Sequence, residues 1–415
     1  MTERPPSFVI VHGHDLGRHL GPYGRGAPTP AVDRFARSAV TFERAFAPAP
    51  QCSPSRASLI TGKYPTKSGM MGLAHLDWRL FDHREALPHR LRELGYQTLL
   101  VGEQHEASEG ELLGYDRCVG TRWPQLAREV APAFGEALDG LDGDRPFFAS
   151  VGFFEAHRPF DHPGYVDDDP GAVPLPPYLP DTPEVRRDIA AFHGRVRGFD
   201  EGVGQVLAAL ETRGLDASTV VIVTTDHGIA FPRAKGTLYD AGLETGLLIR
   251  WPGVTRPGTR CGAMVLNLDL YPTLLRAAGG TPEASVDGID CLPLLRGEVA
   301  SVRDHLYAQL HWHDAFVPMR ALRTESHKLI VDYSAREAAY YPADVENSPS
   351  GQALRAAITE RPTRVALHAL ALDPLERRNV RFDDDHRQVG DVLQERLVAW
   401  MRETGDPLAA VEVGS

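Results

Sequence analysis

TVVIVTTDHG, residues 219–228, opens with seven β-branched residues in a row and closes on an acid, an imidazole and a glycine. β-Branched side chains favour an extended backbone, and a run with no polar face fits a strand covered on both sides. Similar runs recur as SFVIVH (7–12), QTLLVG (97–102), PFFASVGF (146–153) and GLLIRWP (246–252). Helical patterns separate them: TPAVDRFARSAV (29–40), REALPHRLRELG (84–95), a long one over 182–214, and LDLYPTLLRAAG (268–279). Two-sided strands alternating with helices predict an α/β fold: a large mixed, mostly parallel sheet sandwiched by helices, with polar groups gathered at strand C-terminal ends.

The pattern changes near residue 300. HLYAQL (305–310), RALRTESHKLIVDY (320–333) and VGDVLQERLVAWMRE (389–403) suggest a few antiparallel strands and a closing helix. The expected division is a catalytic domain over 1–300 and a smaller C-terminal α+β domain over 301–415. The proline-rich stretch 167–183 reads as a long surface loop.

Composition narrows the function. The chain has 415 residues, 42% hydrophobic and 24% charged, which suits a folded globular protein. Its formal net charge of −12 and the lack of a basic run argue against nucleic acid as a partner. The first residues, MTERPPSFVIVHG, have no basic stretch followed by a secretory apolar segment, and no long apolar run suggests a membrane span, so a cytoplasmic location is expected. Cys52, Cys118, Cys261 and Cys291 are widely spaced, which argues against a disulfide framework; the last three read as buried thiols.

Four of the five strand exits read in the larger domain carry a histidine. His14-Asp15 follows the first run, Glu103-Gln104-His105 the run at 97–102, Glu155-Ala156-His157 the run at 146–153, and Asp226-His227 the opening stretch. Carboxylates and imidazoles brought together from separate strand ends suit one divalent cation; oxygen donors favour Ca²⁺ or Mg²⁺ and nitrogen donors Zn²⁺. Taken singly, each such residue is equally a turn former or a solvated loop side chain.

CSPSRASLITG (52–62) looks like a helix N-terminus, with Pro54 in the first turn and Cys52 just ahead of it. Free amides, the helix dipole and Arg56 would stabilise a tetrahedral anion at Cys52. A buried structural thiol or an activated thiolate are the other readings of this cysteine.

Cys52-Ser53-Pro54-Ser55-Arg56 resembles the C-x-P-S-R motif of the type I sulfatases, in the alkaline phosphatase superfamily. HDLGRHLGPYG (14–24), GYQTLLVG (95–102), FFEAHRPF (153–160), TTDHG (224–228), RAKGTLYDAG (233–242), DLYPTLL (269–275) and ALDPLERRNV (371–380) resemble further blocks of that family in order. Within it, the chain is most similar to the sulfamidase branch, which cleaves N-sulfated glucosamine.

The resemblance implies hydrolysis of a sulfate ester or an N-sulfate, with formylglycine made from Cys52 by a formylglycine-generating enzyme as nucleophile. It also implies one divalent cation, Ca²⁺ first, with Mn²⁺, Mg²⁺ or Zn²⁺ as alternatives. Asp15, Asp226 and His227 match metal positions, and His14 and residue 52 join them. Arg56 matches the support of the formylglycine, Lys235 and His105 the residues that hold sulfate, and His157 the leaving-group side.

Two departures stand out. His14 and His227 soften a site where the family has Asp and Asn, and Glu103 replaces a lysine, which suits a cationic part of the substrate such as a free amine. His311, His313 and Asp314 either line the substrate pocket from the smaller domain or fill the seam between domains. Two other functions are compatible with the same residues: hydrolysis of a phosphonate monoester or phosphodiester, and non-catalytic binding.

Overall fold

The computed structural model describes residues 5–334, 336–355 and 363–411. The first part of the chain runs β1 (Ser7–Gly13), α1 (Pro30–Ala36), β2 (Val40–Phe46), α2 (Cys52–Thr61), α3 (Leu87–Glu93), β3 (Gln97–Gly102), β4 (Arg117–Val119), α4 (Ala127–Leu138) and β5 (Phe147–Gly152). It continues through α5 (Pro183–Thr212), β6 (Thr219–Thr225), β7 (Leu247–Arg250), β8 (Thr259–Leu266) and α6 (Leu270–Ala277). These eight strands form one sheet in the order β4-β3-β5-β1-β6-β7-β2-β8, and only β7 runs antiparallel to its neighbours. The mixed, mostly parallel sheet expected from the two-sided strands is therefore the architecture.

β9 (His305–Trp312), β10 (Phe316–Thr324), β11 (His327–Asp332) and β12 (Val365–Ala369) make a separate antiparallel sheet. The short α7 (Ala343–Glu346) lies between β11 and β12, and α8 (Asp384–Glu403) follows. Among the described residues no helix is long and apolar enough to cross a membrane.

α5 shows how the sequence builds the covering layer. Thr182 caps it by accepting from the Val185 amide, and Pro183 opens it without losing a needed donor. Val185, Ile189, Phe192, Val196, Phe199, Val203, Val206 and Leu210 recur every three or four residues, and all are fully buried in the cluster over β1, β5 and β6. Burying each such side chain contributes roughly 1.5–3 kcal/mol.

Four elements differ from the sequence reading. β2 was not read as a strand, because Glu43 and Arg44 interrupt its apolar run. β8 starts with polar residues and includes Gly262, β4 has three residues, and α4 contains Pro132, an ordinary helix breaker. Cys118, Cys261 and Cys291 are free, but Cys118 and Cys261 are only part-buried, because they lie on the outer strands β4 and β8.

Candidate active site

The exits of β1 and β6, adjacent parallel strands, set Asp15 beside Asp226. Asp15 has a left-handed backbone (φ 53°), and its amide donates to Asp226 Oδ1 at 2.9 Å; the His227 amide donates to the same oxygen at 2.9 Å. Gly228 is required next: a Cβ there would stand 1.9 Å from the Ala241 carbonyl oxygen. Both carboxylates are buried.

α2 brings the nucleophile candidate to this pair. Cys52 is the first residue of the helix, one position further in than the sequence suggested, and Pro54 is the third, where no intrahelical donor is needed. Cys52 Sγ is 3.4 Å from His227 Nε2 and 3.9 Å from Asp15 Oδ1, with 1% of the residue exposed. Burial alone would raise its thiol pKa, but Lys235, His14 and His227, with a hydrogen bond from His105, hold it well below the ordinary value.

Arg56 turns away from Cys52. Its Nε donates to Asp226 Oδ2 at 3.1 Å, one terminal nitrogen to His12 Nδ1 at 2.7 Å, and the other to the Gly13 carbonyl at 3.3 Å. Because Nδ1 of His12 accepts, its Nε2–H donates to Ser150 Oγ at 3.0 Å, which requires a neutral ring; burial and Arg56 push its pKa down accordingly. The guanidinium thus fixes a carboxylate of the cluster from behind. His12 was missed by sequence reading because it closes an apolar strand.

The tautomer of His227 and the position of His14 prepare the cluster for a cation. His227 Nδ1–H donates to the Gly228 carbonyl at 2.9 Å, leaving Nε2 facing Asp15 Oδ1 at 3.1 Å. His14 Nδ1 lies 3.2 Å from Asp226 Oδ2 and 3.5 Å from Asp15 Oδ1. Acceptors facing acceptors need either a proton or a metal between them. Without metal, burial and Arg56 oppose protonation of His14, yet Cys52, Asp226 and Asp15 outweigh them and raise it to about 9; His227 rises likewise. Ligand atoms of Asp15, Cys52, Asp226 and His227 all lie within 4.8 Å of one another, as do those of His14, Asp15, Cys52 and His157. This donor set fits a divalent cation.

Around the cluster stand the remaining candidates. Lys235 Nζ donates to Asp15 Oδ2 and to Asp344 Oδ2, both at 2.7 Å. Asp344, on α7, was not foreseen; nothing in the sequence distinguishes it from neighbouring acids. His157 Nδ1–H donates to the Arg158 carbonyl, which leaves Nε2 3.8 Å from Asp15 Oδ2. His105 bonds His75 at 2.9 Å, ring stacked on ring.

Glu103 comes within electrostatic reach of Arg56, and its carboxylate makes no hydrogen bond among the described residues. His313, at the end of β9, is buried within electrostatic reach of Lys235, Asp344 and Cys52. His311 lies 3.4 Å from Arg320, which pairs with Asp406; all three lie inside the smaller domain and not between the domains. Asp314 accepts from the Tyr340 hydroxyl and the Ala343 amide, and so fixes α7.

Comparison with known proteins places these residues in a family context. The model of the family described as Sulfatase matches residues 6–280, and that described as N-sulphoglucosamine sulphohydrolase, C-terminal, matches 228–354. N-sulphoglucosamine sulphohydrolase of Homo sapiens is 30% identical over 468 residues, covering 97% of this chain and 91% of the relative. The chain also superimposes on a protein solved in complex with its substrate D-glucosamine-2-N,6-O-disulfate, with TM-score 0.78, 17% identity, and coverage of 99% of this chain and 100% of the other. A phosphonate monoester hydrolase of Agrobacterium radiobacter aligns with TM-score 0.75 and 20% identity, covering 96% of each chain.

Proposed function

The chain belongs to the sulfatase family, and from that premise we propose that it hydrolyses a sulfated amino sugar, N-sulfated glucosamine foremost, with residue 52 as nucleophile after oxidation of Cys52 to formylglycine. The observation that carries this reading is Cys52 itself: the first residue of a buried helix, touching His227 and facing Asp15, with Lys235 and His105 beside it. A partner enzyme that generates formylglycine is part of the proposal.

His14, Asp15, Asp226 and His227, with residue 52, would hold one divalent cation, proposed as Ca²⁺; their two imidazoles make Mn²⁺ and Zn²⁺ stronger competitors than an all-oxygen site would. Bound there, the ion supplies positive charge that offsets the charge of the sulfate and of the nucleophile.

The chain's own groups do the rest. One hydroxyl of the residue-52 hydrate gives up its proton to solvent and, as the alkoxide, attacks sulfur in line as the bond from sulfur to the sugar nitrogen or oxygen breaks. His157 enters the step doubly protonated: its Nδ1–H stays on the Arg158 carbonyl, and the leaving atom takes the second proton from Nε2. Lys235, anchored by Asp15 and Asp344, offers its ammonium to the sulfuryl oxygens. His105 then removes the proton of the remaining hydroxyl, the carbon–oxygen bond to sulfate breaks, and the aldehyde returns. Arg56, with His12 behind it, keeps Asp226 in place.

The test is protein made together with a formylglycine-generating enzyme. The expected outcome is an aldehyde at residue 52 by peptide mass spectrometry, turnover of N-sulfated glucosamine, and no activity in C52A. An unmodified thiol with undiminished activity would sink the mechanism, and a preference for a phosphonate monoester would move the substrate class.

A further inference from the structure

The smaller sheet turns one face toward the larger domain, and its register fixes which residues share that face. Met319 pairs with Asp332, Ile330 with Ala366 and Lys328 with His368 across β10, β11 and β12, so these side chains stand on the same side. A cavity of about 560 Å³ lies between this face and residues 236–239, the stretch that follows Lys235. Pro342 packs so closely against Gly236 that a Cβ there would stand 2.6 Å from its ring. Among the described residues, none of those assigned above to the metal or to the sulfate lines the cavity.

Its walls hold hydrogen-bonding atoms that the protein itself leaves unused. Tyr178 Oη, Ser334 Oγ, His368 Nε2 and Glu376 Oε1 are buried, and none has a hydrogen-bond partner among the described residues; Glu376 Oε1 keeps an ion pair with Lys328 at 3.0 Å. His368 donates through Nδ1 to the Arg378 carbonyl at 2.9 Å, and burial holds the ring neutral, so its Nε2 is an acceptor. The nearby arginines are already engaged. Arg233 donates to the Leu375 and Glu376 carbonyls, Arg377 donates to the Pro177 carbonyl, and Arg336 lies over the Tyr340 ring. Buried polar atoms left dry are costly, so a set gathered around one cavity calls for an occupant.

What remains open is an acceptor-rich wall with two carboxylates, Asp332 and Glu376, over an apolar floor that includes Met319, Ile330 and Ala366. A ligand that fits it brings more donors than acceptors, a positive charge and one apolar ring face. We propose that this cavity is a second binding site, separate from the catalytic centre, for a free amino sugar, whose hydroxyls and ammonium meet those atoms. The choice of sugar rests on the sulfated-amino-sugar reading above, since cleavage of an N-sulfate releases one; the cavity itself does not. An N-sulfated sugar is disfavoured there, because its anion would face the two carboxylates.

The experiment titrates glucosamine by calorimetry into C52A protein whose catalytic site is saturated with N-sulfated glucosamine, which that variant does not turn over. One equivalent is expected to bind with a Kd of about 1 mM or tighter, and glucose, which lacks the amine, about tenfold more weakly. H368L, which removes the acceptor, is expected to raise the Kd for glucosamine about tenfold. A366F, which fills the floor without touching a polar group, is expected to abolish binding. With Cys52 restored, both substitutions should leave kcat/KM on N-sulfated glucosamine within about twofold of the wild type.

No heat up to about 20 mM glucosamine, or the same heat in H368L and A366F, overturns the site and leaves water as its occupant. Equal binding of glucose overturns the assignment to an amino sugar. Losses of kcat/KM that match the losses of binding would make the cavity part of the catalytic pocket and also overturn the proposal. If wild-type protein carrying formylglycine hydrolyses no sulfated amino sugar, the reading of the reaction falls, while the calorimetry, run without the sulfated sugar, still decides the cavity.

Discussion

The floor and the rim of the site are built by different rules. The floor comes from the C-terminal ends of two adjacent strands and the first turn of one helix, and Asp15, Asp226, His227, Cys52 and Arg56 are all buried there and bonded to one another. The rim comes from β9, α7 and the 72–78 turn, distant in sequence, and its side chains are partly exposed with several partners missing. A floor of this kind determines which bond is broken, because every group faces the same point and none can move without stranding another. The rim is joined to the floor at only a few contacts, such as Asp344 with Lys235, so most of its groups are freer to change.

The most severe way to break the comparison is at Asp226. Its Oδ1 accepts from two amides and its Oδ2 from Arg56, so D226A leaves a buried guanidinium without its counter-charge. The expected result is loss of all measurable activity and a stability loss of about 3–5 kcal/mol in urea unfolding. D226N, which keeps an acceptor for the amides, should recover part of the stability and none of the activity. If D226A were as stable as the wild type, the floor would not be the interlocked unit described.

This difference also governs what the sequence made legible. The floor was readable because its residues follow unmistakable strands, or lie in one compact motif, within a few positions of each other. His12 escaped notice because a histidine at the end of an apolar run reads as strand, and only its bond to Arg56 reveals its role. Asp344 carried no signal: it acts through a contact more than a hundred residues away in the chain, with Lys235. β2, β8 and α4 were hidden for a local reason, since charged residues or a proline broke the periodicity that tertiary packing later overrides.

Acid sharpens the comparison, since a buried neutral histidine lies on or beside each of the two sheets. His19, packed under the larger sheet's helices, and His368, on β12, are each pushed down to about 4, chiefly by burial. His368 donates through Nδ1 to the Arg378 carbonyl, and its Nε2 has no partner to receive a second proton's charge. Both folded values lie below the unfolded value of 6.5, so their stability contribution is complete above pH 6.5 and is lost as pH falls toward 4. A non-titrating variant, H19N or H368N, should gain on the wild type by up to about 3 kcal/mol between pH 7 and pH 4, read from urea midpoints. A gap independent of pH would mean that these rings titrate in the folded protein as they do in the unfolded chain.

The mildest test separates the rim's two kinds of work. Asp344 shares Lys235 with Asp15, so the ammonium divides its charge between a rim carboxylate and a metal-cluster carboxylate. Removing the rim charge in D344N leaves Lys235 more tightly committed to Asp15 Oδ2, where it competes with the cation for the same oxygen. The expected signature is an increase of about tenfold in the Ca²⁺ concentration needed for half-maximal activity, equivalent to about 1.4 kcal/mol. Because Asp344 acts through Lys235 and not through the sugar, saturating cation should restore kcat, and monosaccharide and disaccharide should be affected alike. If D344N instead discriminated between the two sugars and left the cation requirement unchanged, Asp344 would act as a substrate contact, and the floor would reach no further than Lys235.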